Sequence, residues 1–114
     1  MPVRSLTSSV LVWPTAEAVR EAAIAWAAGV VARRPEVLAV GLVGSLADGR
    51  WGVGSDLDLV VLAQTDAPFV ERPLAFDASS LPVPTDLLVY TPAEWQTLEP
   101  PFDPEWLARR PTGL

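Results

Sequence analysis

Two short apolar runs, Val37–Val43 and Leu57–Ala63, constrain what this 114-residue chain can fold into. Each is too short and too uniformly apolar for an amphipathic helix. Each is rich in valine and leucine, which predicts a buried strand. The segment between them carries Gly44-Ser45, a short helix candidate opening at Leu46-Ala47-Asp48, and a glycine-rich turn that closes at Gly54.

Two aspartates, Asp56 and Asp58, stand one residue apart on the leading edge of the second run. Strand side chains alternate faces, so both point the same way. Adjacent carboxylates repel unless a cation lies between them, and hard oxygen donors suit magnesium. Gly44 lets the backbone approach a ligand closely. Ser45 adds a hydroxyl beside the free N–H groups of the helix start, a combination suited to phosphate. An anion seat facing an acidic pair is the minimum equipment for handling a nucleoside triphosphate.

In these residues the chain resembles the DNA polymerase β-type nucleotidyltransferase superfamily, and within it the minimal nucleotidyltransferases of bacteria and archaea. The shared pattern is Gly-Ser, ten residues, then Asp-x-Asp; Gly44-Ser45 and Asp56-Leu57-Asp58 match it, as do Ala47, Gly49 and Ser55. One position departs: Asp48 stands where relatives usually carry a basic residue, with Arg50 two residues on as the substitute.

Composition narrows the chemistry. The chain has no cysteine and no histidine, which excludes disulfides, thiolate or histidine metal sites and histidine-based triads. Carboxylates are left to do acid–base or metal work. All eight basic residues are arginine, scattered along a chain of net charge −6. A template-reading enzyme needs a concentrated basic face, so direct nucleic-acid binding is not expected. The N-terminus lacks a secretory pattern, and the apolar stretch Ala22–Ala32 falls short of the roughly 20 residues that span a bilayer. The expectation is a cytoplasmic protein.

Along the chain, residues 1–14 read as an irregular arm, with Ser5–Val12 a candidate edge strand. Thr15 predicts an N-cap and Glu17 sits in the first turn. Ala16, Val19, Ala23, Trp26 and Val30 recur at helical spacing, and Pro35 stops the helix. Phe69–Phe76 reads as a short helix weakened by Pro73. Val83–Tyr90 predicts a third strand in which Asp86, Leu88 and Tyr90 share one face. Thr91, Pro92 and Glu94 predict a capping box opening a helix to about Leu98. Asp103-Pro104-Glu105 predicts another cap, opening a short helix through Arg110. Trp95, Phe102 and Trp106 are expected to pin the tail, residues 100–114, onto the core. The whole, 1–114, reads as one α/β (α+β) domain: a small mixed sheet flanked by helices.

The resemblance implies the polymerase β-like fold and assigns roles. Asp56, Asp58 and Asp86 would be the catalytic, metal-binding carboxylates, Asp86 completing the set from the following strand. Gly44, Ser45, Arg50 and Ser55 would hold the nucleotide's phosphates. Two Mg2+ ions and ATP are the implied cofactor and donor. The implied reaction transfers AMP, or another nucleoside monophosphate, to a hydroxyl acceptor. The chain has no room for a separate acceptor domain, so a second wall must come from another protein or another copy of itself. Minimal relatives are often antitoxins that modify a tyrosine of a HEPN-type ribonuclease. The alternative is a non-catalytic nucleotide- or partner-binding module.

Overall fold

The computed structural model describes residues 13–98 and 103–111. The candidate strand Ser5–Val12 and the tail residue Phe102 lie outside the described residues. Helix α1 (Ala16–Arg33) starts where Thr15 Oγ1 accepts from the Ala18 N–H and ends at Arg34. It buries Val19, Ala23, Trp26, Ala27 and Val30 against the sheet, while Ala16 is exposed in the first turn. The Trp26 indole N–H is satisfied by the Asp77 carbonyl, so this tryptophan is core with a paired polar edge.

Strand β1 (Val37–Val43) and strand β2 (Leu57–Ala63) occupy the two apolar runs. Helix α2 (Ser45–Asp48) follows β1 directly. After β2 the chain forms a 3-10 turn, Phe69–Ala75, then strand β3 (Thr85–Tyr90) and helix α3 (Pro92–Gln96). Pro73 lies inside the 3-10 turn and removes a donor there. The capping box of α3 is formed: Thr91 Oγ1 accepts from the Glu94 N–H, and the Glu94 carboxylate accepts from the Thr91 N–H.

One expectation is overturned. Residues Glu105–Arg109 form a strand, β4, rather than a helix. It pairs antiparallel with β1, from Ala39 opposite Arg109 to Leu42 opposite Glu105. Locally these residues suit a helix. The long-range demand is stronger: without β4 the outer edge of β1 would leave backbone groups unpaired beside the core. The pairing continues past the strand, where the Arg110 N–H donates to the Leu38 carbonyl. The Arg110 guanidinium reaches the Val31, Arg34 and Val37 carbonyls, joining the end of α1 to the start of β1.

The sheet order is β3-β2-β1-β4, with β2 and β3 parallel and the other pairs antiparallel. One face packs under α1 through Leu42, Leu57, Leu59, Val61 and Val89. The other carries Ala39, Val60 and Leu62 beneath Leu88, Tyr90, Trp95 and Trp106. Rings of Phe69, Tyr90, Trp95 and Trp106 follow one another at centroid spacings of 5.3, 5.7 and 5.7 Å. Among the described residues no helix is long and apolar enough to cross a membrane.

Candidate functional site

The parallel pairing of β2 and β3 sets Asp58 directly beside Asp86. Parallel neighbours in register share a face, so both carboxylates rise from the side that carries Val60, Leu62, Leu88 and Tyr90. Asp56 lies just before β2, two residues from Asp58, and is exposed. Burial pushes the Asp58 carboxyl above the ordinary aspartate range, and the charges of Asp86 and Asp56 push it the same way. Among the described residues none of the three carboxylates is joined to an arginine; the ion pairs there engage Glu105, Glu36, Asp48 and Glu94 instead. The result is a concentration of uncompensated negative charge at one end of two adjacent strands.

Gly44 closes β1 against this charge. It adopts φ 81°, a conformation that disfavours any L side chain, as it turns the chain into α2. A Cβ added there would lie 3.1 Å from Asp58 Cγ and closer still to Asp58 Oδ2. Glycine is therefore required twice, by the backbone turn and by the carboxylate packed on it. The Ser45 hydroxyl follows with no hydrogen-bond partner among the described residues, and the first N–H groups of a helix have no intrahelical acceptor.

The other expected site residues are engaged locally. Arg50 is exposed and paired with Asp48 at 2.7 Å. The Ser55 hydroxyl accepts from the Gly52 N–H at 3.0 Å, tightening the glycine turn before Asp56. Trp51 seals this loop onto the start of α1, its indole N–H donating to the Pro14 carbonyl.

An open cleft of about 520 Å³ adjoins the acidic end of the sheet, lined by Asp58, Thr85, Asp86, Leu87 and Leu88 on the strands. Pro73, Phe76 and Ala78 form its facing wall. Sequence reasoning missed this wall: it comes from the irregular connection between β2 and β3, and no periodic pattern in that connection marks which residues turn inward. It also missed Arg72, which is buried. Arg72 donates to the Ala67 and Val89 carbonyls and makes a two-point pair with Glu94 at 2.6 and 3.0 Å. That pair ties the cleft wall to the α3 capping box.

The donor set is one a divalent cation fits: carboxylate oxygens only, uncompensated, with Asp58 destabilised as an anion. Among the described residues no group of three or more acidic side chains is arranged to hold a metal ion as it stands. Magnesium is commonly held by one or two carboxylates, with the remaining ligands drawn from substrate phosphates and water.

Comparison with known proteins adds one match. The family described as the nucleotidyltransferase domain matches residues 24–111, which include α1 from its middle turn, the whole sheet and the acidic end. No curated protein and no solved structure compared with the chain matches it.

Proposed function

The chain belongs to the nucleotidyltransferase domain family, and from that premise we propose that it is a metal-dependent enzyme moving a nucleoside monophosphate, AMP first among candidates, from a triphosphate to a hydroxyl. The observation that carries the reading is the register of Asp58 with Asp86, with Gly44 packed on the Asp58 carboxylate. In this proposal Asp56, Asp58 and Asp86 hold magnesium together with phosphate oxygens. A metal held there would supply neutralisation of the charge that develops on the triphosphate and polarisation of the acceptor oxygen. Asp86, exposed at the cleft, takes the acceptor proton. Gly44 and Ser45 meet the phosphates through backbone and hydroxyl. Arg50 exchanges Asp48 for a phosphate oxygen, and Ser55 keeps the approach to Asp56 tight.

The acceptor in this reading belongs to a partner protein, and a tyrosine of a HEPN-type toxin is the candidate that the resemblance supplies. A second reading, a binding module without catalysis, draws support from the Asp48–Arg50 pair, which occupies the phosphate-side arginine.

One assay separates the two. The protein is incubated with magnesium, α-labelled ATP and a helical partner protein carrying a tyrosine, then the assay is repeated with Asp56→Asn and Asp58→Asn. Covalent label that disappears in both variants supports the enzyme. Label that persists in them, or nucleotide binding with no transfer, supports the module.

A further inference from the structure

The outer edge of β3 is open where it lines the cleft. In a parallel pair, successive residues turn their backbone groups alternately toward and away from the neighbouring strand. The Leu57 N–H donates to the Pro84 carbonyl, so Pro84 and, by alternation, Asp86 and Leu88 face β2. Thr85, Leu87 and Val89 face outward. The Val89 carbonyl is taken by Arg72 at 3.0 Å, which closes the lower end of the edge. The outward groups of Thr85 and Leu87 have no partner among the described residues, and both residues line the cleft. An unpaired edge is a template for another strand.

We propose that the acceptor is an extended segment of another polypeptide, which pairs main chain to main chain with Thr85 and Leu87 and so presents its hydroxyl residue beside Asp86. This rests on the transferase reading above and specifies its acceptor. The geometry follows from strand spacing. Asp58 and Asp86 are neighbours in one row across the sheet, and a residue of an added strand opposite Asp86 continues that row at roughly 4.8 Å on the same face. Its hydroxyl oxygen bonds to the α-phosphorus while the bond from that phosphorus to the bridging oxygen breaks. Pyrophosphate leaves with the bonding pair, and the hydroxyl proton passes to Asp86.

Two further features fit a polypeptide rather than a small alcohol. Val70 and Leu74, on the turn that carries the cleft-wall residue Pro73, are 81% and 84% exposed, apolar surface that a small acceptor would not cover. The chain carries net charge −6 and its cleft is lined by Asp58 and Asp86, which favours a segment with basic flanks. Closure of the edge at Val89 limits pairing to a short stretch, so a segment of a few residues suffices.

The test uses the full chain, magnesium and α-labelled ATP. The probes are nine-residue peptides with one central tyrosine, serine or threonine, β-favouring neighbours and arginine at each end. Because main-chain pairing depends little on sequence, such peptides are expected to be labelled faster than free tyramine or glycerol at equal concentration. Two further peptide sets carry N-methyl groups on alternate amides, offset from each other by one residue. The set methylated on the amides that face β3 is expected to lose labelling roughly tenfold or more, and the offset set to keep it. Equal labelling in the two sets, whether kept or lost, overturns the proposal, as does equal labelling of tyramine or glycerol. Magnesium-dependent binding of a fluorescent ATP analogue is measured alongside. Nucleotide binding with label only on small hydroxyls sinks the edge proposal and leaves the transferase reading standing. No nucleotide binding and no label on any acceptor sinks both.

Discussion

At the residue scale, the role proposed for Asp58 runs against stability. Its carboxyl is held above the usual aspartate range by burial and by two like charges. A carboxyl whose pKa is raised on folding weakens the fold once it ionises. That penalty is absent below the unfolded value, near 3.8, and complete above the folded one. At neutral pH and without divalent metal, Asp58→Asn is therefore expected to raise the melting temperature by a few degrees while abolishing label transfer. The gain should shrink as pH falls through the acidic range, and magnesium should stabilise the wild type more than the variant; thermal melts at several pH values, with and without magnesium, check all three. Gly44→Ala has the opposite sign. Strain at φ 81° and the displaced Asp58 carboxylate should together cost about 1–3 kcal/mol, read by urea unfolding.

At the element scale, legibility followed the range of the forces. The ends of β1 and β2 and both ends of α1 were readable because apolar runs, Thr15 and Pro35 act locally. The acidic site was half readable. Aspartates opening apolar strands stand out in a sequence, but the alignment of Asp58 with Asp86 is a matter of register. Strand β4 was misread because Glu105–Arg109 have local helical character and their partner, β1, is distant in sequence. Packing there is close: a Cβ on Gly41 would meet Pro104 Cβ at 2.8 Å and Trp106 Cε3 at 2.9 Å. Gly41→Ala should therefore destabilise by about 1–3 kcal/mol, measured by chemical unfolding, unless β4 shifts away.

The 3-10 turn gives a second prediction at this scale. The Arg72 guanidinium, first, and the Thr91 N–H hold the Glu94 carboxyl down to about 2. A carboxyl lowered on folding contributes stability that is complete above its unfolded value, near 4.5, and lost as pH falls toward 2. Glu94→Gln should lower the melting temperature at neutral pH, and its curve should converge on the wild type between those limits. Because Arg72 also holds the cleft wall, the same variant is expected to weaken transfer chiefly through the apparent affinity for acceptor, measured as a rise in KM.

At the scale of the whole molecule, one parallel pair in an otherwise antiparallel sheet decides where the acidic end and its cleft lie. It brings the starts of two strands to one level and requires the long connection, residues 64–84, that supplies the cleft wall. The antiparallel pair β1–β2 needs only the segment that carries Gly44 and Ser45. The match of the family across residues 24–111 spans both arrangements.

That connection also fixes an order of assembly. Contacts between partners far apart in sequence form late in folding, so β1 and β2 are expected to meet before β3 docks. The mutual repulsion of Asp58 and Asp86 is then felt only after the rate-limiting barrier. In stopped-flow chevrons, Asp58→Asn should slow unfolding and leave the refolding arm nearly unchanged.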